Sequence, residues 1–225
     1  MNINLKPFFT QYEELVQVAD QAFEKVKQTH PECVTCKMYC SDCCHALFDI
    51  TLIEAIYINA RFRNDFTGSV LEELLENCNR ADRLIYQIKR RVYKDSEAGK
   101  DPRLIVEDVG EQRVRCPMLN DESMCVIYDY RPITCRLYGI PTSIGDESHT
   151  CGLSGFEKGR PYPTVRIDKI QDRLVVLSKQ FTEEIRSKHV HLYEILVPLS
   201  MALLTNYDES YLGIPSAEST ATPTE

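Results

Sequence analysis

The sequence predicts a mainly α fold, one helical domain over residues 1–211 built around an irregular, cysteine-rich metal-binding core. Three observations predict it. Long stretches on both sides of the chain repeat apolar residues at three-and-four spacing, the middle of the chain loses that period where Gly, Pro and Asp gather, and nine of the ten cysteines lie outside the periodic segments. Neither βαβ alternation, nor an internal repeat, nor a glycine-rich phosphate loop is present.

The elements follow in order. From Phe9 to Lys27 the residues Tyr12, Leu15, Val16, Ala19, Ala22, Phe23 and Val26 mark one helical face. A cysteine run follows, and then Thr51-Leu-Ile-Glu54 fits a capping box, which predicts a helix from there to about Arg63. The longest helix is expected from Gly68 to Lys94, with Leu71, Leu74, Leu75, Cys78, Leu84, Ile85, Ile88 and Val92 inward; Cys78 there behaves as a small hydrophobe. Between Ser96 and Pro163 the loss of period predicts loops, turns and short strands. Helix returns over Ile167–Ser187 and again over His191–Asn206. The stretch 212–225 is small, polar and Pro-containing, and reads as a disordered tail.

Composition bounds the function. The net charge of -8 is spread along the chain with no basic stripe, which predicts no nucleic-acid partner. The most apolar stretch, His191–Tyr207, is interrupted by Glu194 and Pro198 and is shorter than the roughly 20 residues of a membrane span. The chain opens Met-Asn-Ile-Asn-Leu-Lys with no apolar run behind a basic end, so the expectation is a cytoplasmic protein whose thiols stay reduced. A chain of 225 residues at 43% apolar content also has no need of disulfide staples. Metal ligation or redox chemistry is the reading that remains for clustered thiols.

Five cysteines fall within Cys33–Cys44. Cys36-x3-Cys40-x2-Cys43 has the spacing of the radical S-adenosylmethionine cluster loop, but Asp42 stands where such loops carry an aromatic residue, and a helix rather than a strand precedes the run. Downstream lie Arg115-Cys-Pro-Met-Leu119, then Cys125-Val-Ile-Tyr-Asp-Tyr-Arg-Pro-Ile-Thr-Cys135-Arg-Leu-Tyr-Gly139, then Cys151. Together with the first run these phrases resemble the YkgJ family, also called the CxxCxxCC family of zinc- or iron-chelating proteins. The resemblance covers Cys36–Glu54 and Arg115–Cys151. It departs from the family's C-x2-C-G-x-C-C in having a three-residue first gap and Ser41 for the glycine, so Cys33 competes with Cys36 as the first ligand.

Carried over residue by residue, the resemblance implies Cys36, Cys40, Cys43, Cys44, Cys116, Cys125, Cys135 and Cys151 as metal ligands. Eight thiols make two sets of four, and the neighbours Cys43 and Cys44 point apart, which favours two centres sharing the first run over one cluster with spare thiols. One dense run followed by single, widely spaced cysteines favours an iron-sulfur cluster of the [4Fe-4S] type over zinc, which more often takes paired CxxC knuckles. A cluster implies electron transfer, redox sensing or maturation of a redox-protein partner; zinc implies a structural or interaction module. The family phrases also extend to a flagellin lysine N-methylase, which leaves a methyltransferase-like or radical enzyme as a further alternative.

Arg115, Arg131 and Arg136 flank the cysteines and are the candidates to offset thiolate charge near a cofactor, the alternative being surface pairs with Asp129, Glu111 or Asp121. Tyr128 is expected beside the site or in the core. His45 and His149 are secondary ligand candidates. No paired carboxylates, Ser-His-Asp set or phosphate loop can be placed, so no catalytic residue is assigned.

Overall fold

A computed structural model describes residues 4–145 and 147–215. The fold is mainly α, as the periodicity predicts. Helix α1 (Lys6–Thr29) buries Tyr12, Ala19 and Val26, one residue every two turns. Helix α2 (Leu52–Asp65) is apolar on nearly every side, with Leu52, Ile53, Ala55, Ile56, Tyr57, Ile58 and Phe62 all buried, and is therefore the central element. Around it stand α1, α6 (Ile167–Glu184) and α7 (Leu199–Leu204). Phe62 and Phe181 are fully enclosed at 0% exposure, and Phe8 meets Phe181 edge-on at 5.4 Å.

The 30-residue α3 (Gly68–Glu97) buries only Cys78 and Ala81 outright, with Leu71, Leu74 and Leu75 packed at the core's edge. Cys78 is core, as expected; Leu84 instead faces solvent at 52% exposure, because it falls off the stripe that Cys78, Ala81 and Ile85 define.

Three local expectations change. Within the aperiodic middle there is a helix, α4 (Pro102–Gly110), started by Asp101, whose carboxylate accepts the Arg103 N–H at 2.9 Å. The single helix expected over His191–Asn206 is instead a short turn (Leu192–Glu194), a strand and α7. Pro198 has no N–H to continue a helix, and the residues before it take the extended form. That strand, Leu196–Pro198, pairs antiparallel with β1 (Asp49–Thr51), Thr51 opposite Leu196 and Asp49 opposite Pro198. Finally, the capping box is not formed. The Thr51 side chain makes no cap bond, the Ser178 hydroxyl accepts the Ile53 N–H at 3.2 Å, and Glu54 turns inward.

A second small sheet joins β2 (Thr142–Ile144) to β3 (Glu147–His149) and β4 (Val165–Arg166), and the strand Leu196–Pro198 is β5. Of the expected tail, residues 216–225 lie outside the described residues; Leu212 is buried at 2% exposure and packs in the core. Among the described residues no helix is long and apolar enough to cross a membrane.

Candidate metal centre

The two cysteine phrases are stitched backbone to backbone. Cys43 and Cys44 sit in one tight turn (Asp42–His45), and as the chain leaves it, Cys44 C=O accepts the Cys116 N–H at 2.7 Å and His45 C=O accepts the Val114 N–H at 3.2 Å. Residues 118–126 fold back as a hairpin, with Leu119 opposite Cys125 and Met118 C=O accepting the Val126 N–H at 2.9 Å. Cys135 rides on α5 (Ile133–Leu137), a five-residue helix whose first N–H is taken by the buried Glu54 carboxylate at 2.8 Å. The same Glu54 oxygen accepts the Tyr12 hydroxyl at 2.9 Å, so α1, α2 and α5 meet on one side chain.

These connections bring all eight sequence-derived cysteines, Cys36, Cys40, Cys43, Cys44, Cys116, Cys125, Cys135 and Cys151, onto one cavity of about 650 Å³. Phe23, Leu47, Phe48 and Ile85 supply apolar wall. All ten cysteines are free thiols. Cys33 stands apart, buried at 5% exposure with its thiol toward Glu32, and Cys36 lines the cavity.

Electrostatic neighbourhood divides the eight. An inner group forms where Cys44, Cys116, Cys125 and Cys135 act on one another, deep against the helices. An outer group, Cys36, Cys40 and Cys151, lies toward the rim. Cys43 acts on members of both. Among the described residues no three His, Cys, Asp or Glu side chains already stand as a ready-made single-ion site. The thiols surround a space rather than a point.

Burial pushes most of these thiols up: Cys36 to about 11, Cys116 to about 12, and Cys125, Cys135 and Cys151 above the ordinary value of 9.0, while Cys44 rises first because its hydrogen bond to Cys43 favours the protonated form and then through burial. Cys43 goes the other way, down to about 7, because it shares a hydrogen bond with Cys44 and lies near the Arg131 charge. Three thiols also accept a backbone N–H from two residues onward: Cys116 from Met118, Cys125 from Ile127, and Cys151 from Leu153 at 3.4 Å. Such donors favour thiolate, and they are in place before any charge develops.

The arginines divide. Arg131 stacks on the Tyr128 ring at 3.8 Å and its charge favours thiolate at Cys43 and Cys125. Arg115 does so at Cys116 while donating to the Leu119 and Asn120 carbonyls. Arg136 borders the cavity, but its guanidinium is held by Asp20 at 2.8 Å and by the Arg131 and Asp129 carbonyls. Tyr128 is 60% exposed and carries Arg131, rather than being core. His45 bonds the Ser41 carbonyl at 3.0 Å, His149 is exposed on β3, and neither borders the cavity.

Four supporting residues escape sequence reasoning. Asp42 accepts the Tyr138 hydroxyl at 3.0 Å and pairs with Arg113. Gly139, at φ +104, lies against Cys36, and a Cβ there would collide with the Cys36 sulfur. Tyr138-Gly139 follows Cys135-Arg-Leu directly, so the signal lies at the end of the second cysteine phrase.

No curated protein and no solved structure matches the chain. Residues 35–152, just over half of the chain, match the sequence model of CxxCxxCC, described as a putative zinc- or iron-chelating domain. That span begins one residue before Cys36 and ends one residue after Cys151, bracketing the eight cavity cysteines, and the chain belongs to the CxxCxxCC family.

Proposed function

We propose that the eight thiols hold two metal centres in the one cavity, the inner an iron-sulfur cluster of the [4Fe-4S] type, and that the protein serves electron transfer, redox sensing or the maturation of a redox-protein partner in the cytoplasm. The observation that carries this reading is the cavity itself. A single ion gathers its sulfurs at about 2.3 Å from one point, whereas here the thiols line about 650 Å³ and no three are gathered. Cys44, Cys116, Cys125 and Cys135 would ligate the inner centre, Cys36, Cys40 and Cys151 the outer, with Cys43 between them.

A bound cluster supplies a one-electron change of charge. The chain supplies what tunes and protects it. The N–H groups of Met118 and Ile127 and the charges of Arg115 and Arg131 offset negative sulfur, which raises a reduction potential. Phe23, Leu47 and Phe48 exclude water from the wall.

Anaerobic purification with counts of iron, sulfide and zinc per chain tests the reading. Matched iron and sulfide with a broad visible band bleached by dithionite is expected. A colourless protein with stoichiometric zinc overturns the redox role and leaves a zinc-dependent structural module.

A further inference from the structure

We propose that the outer face of α3 is the docking surface for an acidic electron-carrier protein, an inference that rests on the redox reading of the cavity. Residues 80–94 carry six Lys or Arg against one acid, Asp82, a local charge of +5 in a chain whose total is -8. The charge is therefore not evenly spread, as the composition led us to expect, and all six cations are exposed. Lys89 pairs with Asp49 at 2.7 Å and Arg80 bonds the Asn77 side chain, but the side chains of Arg83, Arg90, Arg91 and Lys94 make no ion pair or hydrogen bond among the described residues. Arg83, Arg90 and Lys94, spaced seven and four apart, form a ridge directly opposite the inward stripe of Cys78, Ala81 and Ile85. Tyr86 and Tyr93 stand beside that ridge at 63% and 65% exposure.

The helix itself does not account for the ridge. Cations support a helix through its dipole only in the last turn, which here holds Lys94 alone. Like charges three and four apart, such as Arg80 with Arg83 and Arg90 with Lys94, oppose a helix. A ridge that costs the helix stability and holds nothing else in the described chain fits a partner of opposite charge. Screening at physiological salt limits each charge to about 8 Å, so a partner on α3 meets the local excess and not the chain's total. Exposed Tyr beside Arg is the combination that anchors protein interfaces, and a compact acidic protein fits within the patch. Nucleic acid or an anionic membrane extends past it onto the acidic remainder of the chain. Position supplies the reason for a redox partner. Ile85 borders the cavity from the other side of the same helix, and Cys78 on its stripe lies within the field of Cys116. A carrier on the ridge is one helix diameter, about 10–12 Å, from the cavity wall. One electron leaves the reduced carrier and enters the inner centre, the carrier being oxidised and the centre reduced, with no bond made or broken.

The test uses the full chain, purified anaerobically with its metal, and a small acidic ferredoxin as the probe, read by calorimetry and by the rate of electron exchange. Wild type is expected to bind the ferredoxin less tightly as salt rises. The triple variant Arg83→Glu, Arg90→Glu and Lys94→Glu is expected to weaken binding and slow exchange by about tenfold or more. The same charge change placed elsewhere on the surface, Lys25→Glu, Lys158→Glu and Arg173→Glu, should stay within about twofold of wild type. Tyr86→Ala with Tyr93→Ala should weaken binding at high salt as well as low. Equal loss in both triple variants, no loss in the first, or no binding by wild type overturns the proposal, as does tighter binding of single-stranded DNA or phosphatidylserine vesicles to the same face. If the first variant does not fold, wild-type binding that ignores salt together with an unaffected tyrosine variant overturns it equally. Iron and sulfide counts on the same samples separate the levels. A cluster-bearing protein that does not bind ferredoxin keeps the cluster and rejects the face, whereas a colourless zinc protein that still binds through α3 loses the redox reading and with it the electron carrier.

Discussion

The helical body and the cysteine region are two halves of one chain held by different forces. The body, α1, α2 and α6, is closed by apolar side chains such as Phe62, Phe181 and Leu174, each no more than 2% exposed. Between 33–48 and 113–153 the regular elements are few and short, most cysteines are half-buried, and the strands are joined by isolated backbone bonds such as Cys116 to Cys44. The difference teaches that apolar burial organises the body, while the cysteine region is held by short elements and single backbone bonds and, on the proposed reading, would be closed by metal.

Removing the metal is the most direct way to break that comparison. Chelation under reducing conditions is expected to collapse amide protection over 33–48 and 113–153 while α1, α2 and α6 stay protected, read by hydrogen exchange. Simultaneous loss in the helices would show that both halves depend on metal. Phe62→Ala or Phe181→Ala should act in the opposite sense, costing about 3–5 kcal/mol in denaturant unfolding of the metal-free protein while leaving metal per folded chain unchanged.

Glu54 joins the halves. Glu54→Ala leaves the Ile133 N–H and the Tyr12 hydroxyl without their acceptor, a loss of about 1–3 kcal/mol for each. It should both lower the melting point and speed metal loss, and Glu54→Gln, which keeps an acceptor oxygen, should restore much of both. An effect on melting alone would uncouple α5 from the site.

How much of this was legible follows the same division. The periods of α1, α2 and α6 could be read because each buries a continuous face. The run His191–Asn206 has apolar content of the same quality, but Pro198 turns it into a strand that the β1 edge accepts. Helix α4 was hidden because its signal is one cap, Asp101, and a proline. In the site, the eight cysteines were legible from their phrase, and only packing separates Cys33 from Cys36. Asp42, Arg113 and Tyr138 come from three parts of the chain, and no local pattern announces that they meet.

The pH response sharpens the comparison at smaller amplitude. In the metal-free protein Cys36, Cys78 and Cys116 rise from 9.0 to about 11, 12 and 12 through burial. The folded state therefore favours the protonated thiols, and their stabilisation is full below 9.0 and disappears as pH climbs toward 11–12. Urea midpoints at pH 7, 9 and 10.5 should fall across that series. Metal affinity should move oppositely, rising with pH, because binding must displace those protons. The smallest effect is expected at Arg131→Ala. Losing that charge raises the Cys43 thiol, so its alkylation at pH 7 should slow a few-fold, an effect on the order of 0.5–1 kcal/mol.

The pairing of β1 with β5 has a consequence in time. Thr51 leaves the first cysteine run and waits for Leu196, and Pro198, Leu199 and Ser200 complete the cavity wall. A ribosome adding about 5–20 residues each second needs roughly 7–30 s to cover that distance. For that interval the nascent chain carries its first thiols uncovered. On the proposed reading, metal would have to reach these thiols, and oxidants be kept from them, while the protein is still being made, and β5, the last of the described strands to emerge, would close the wall on whatever they have by then acquired.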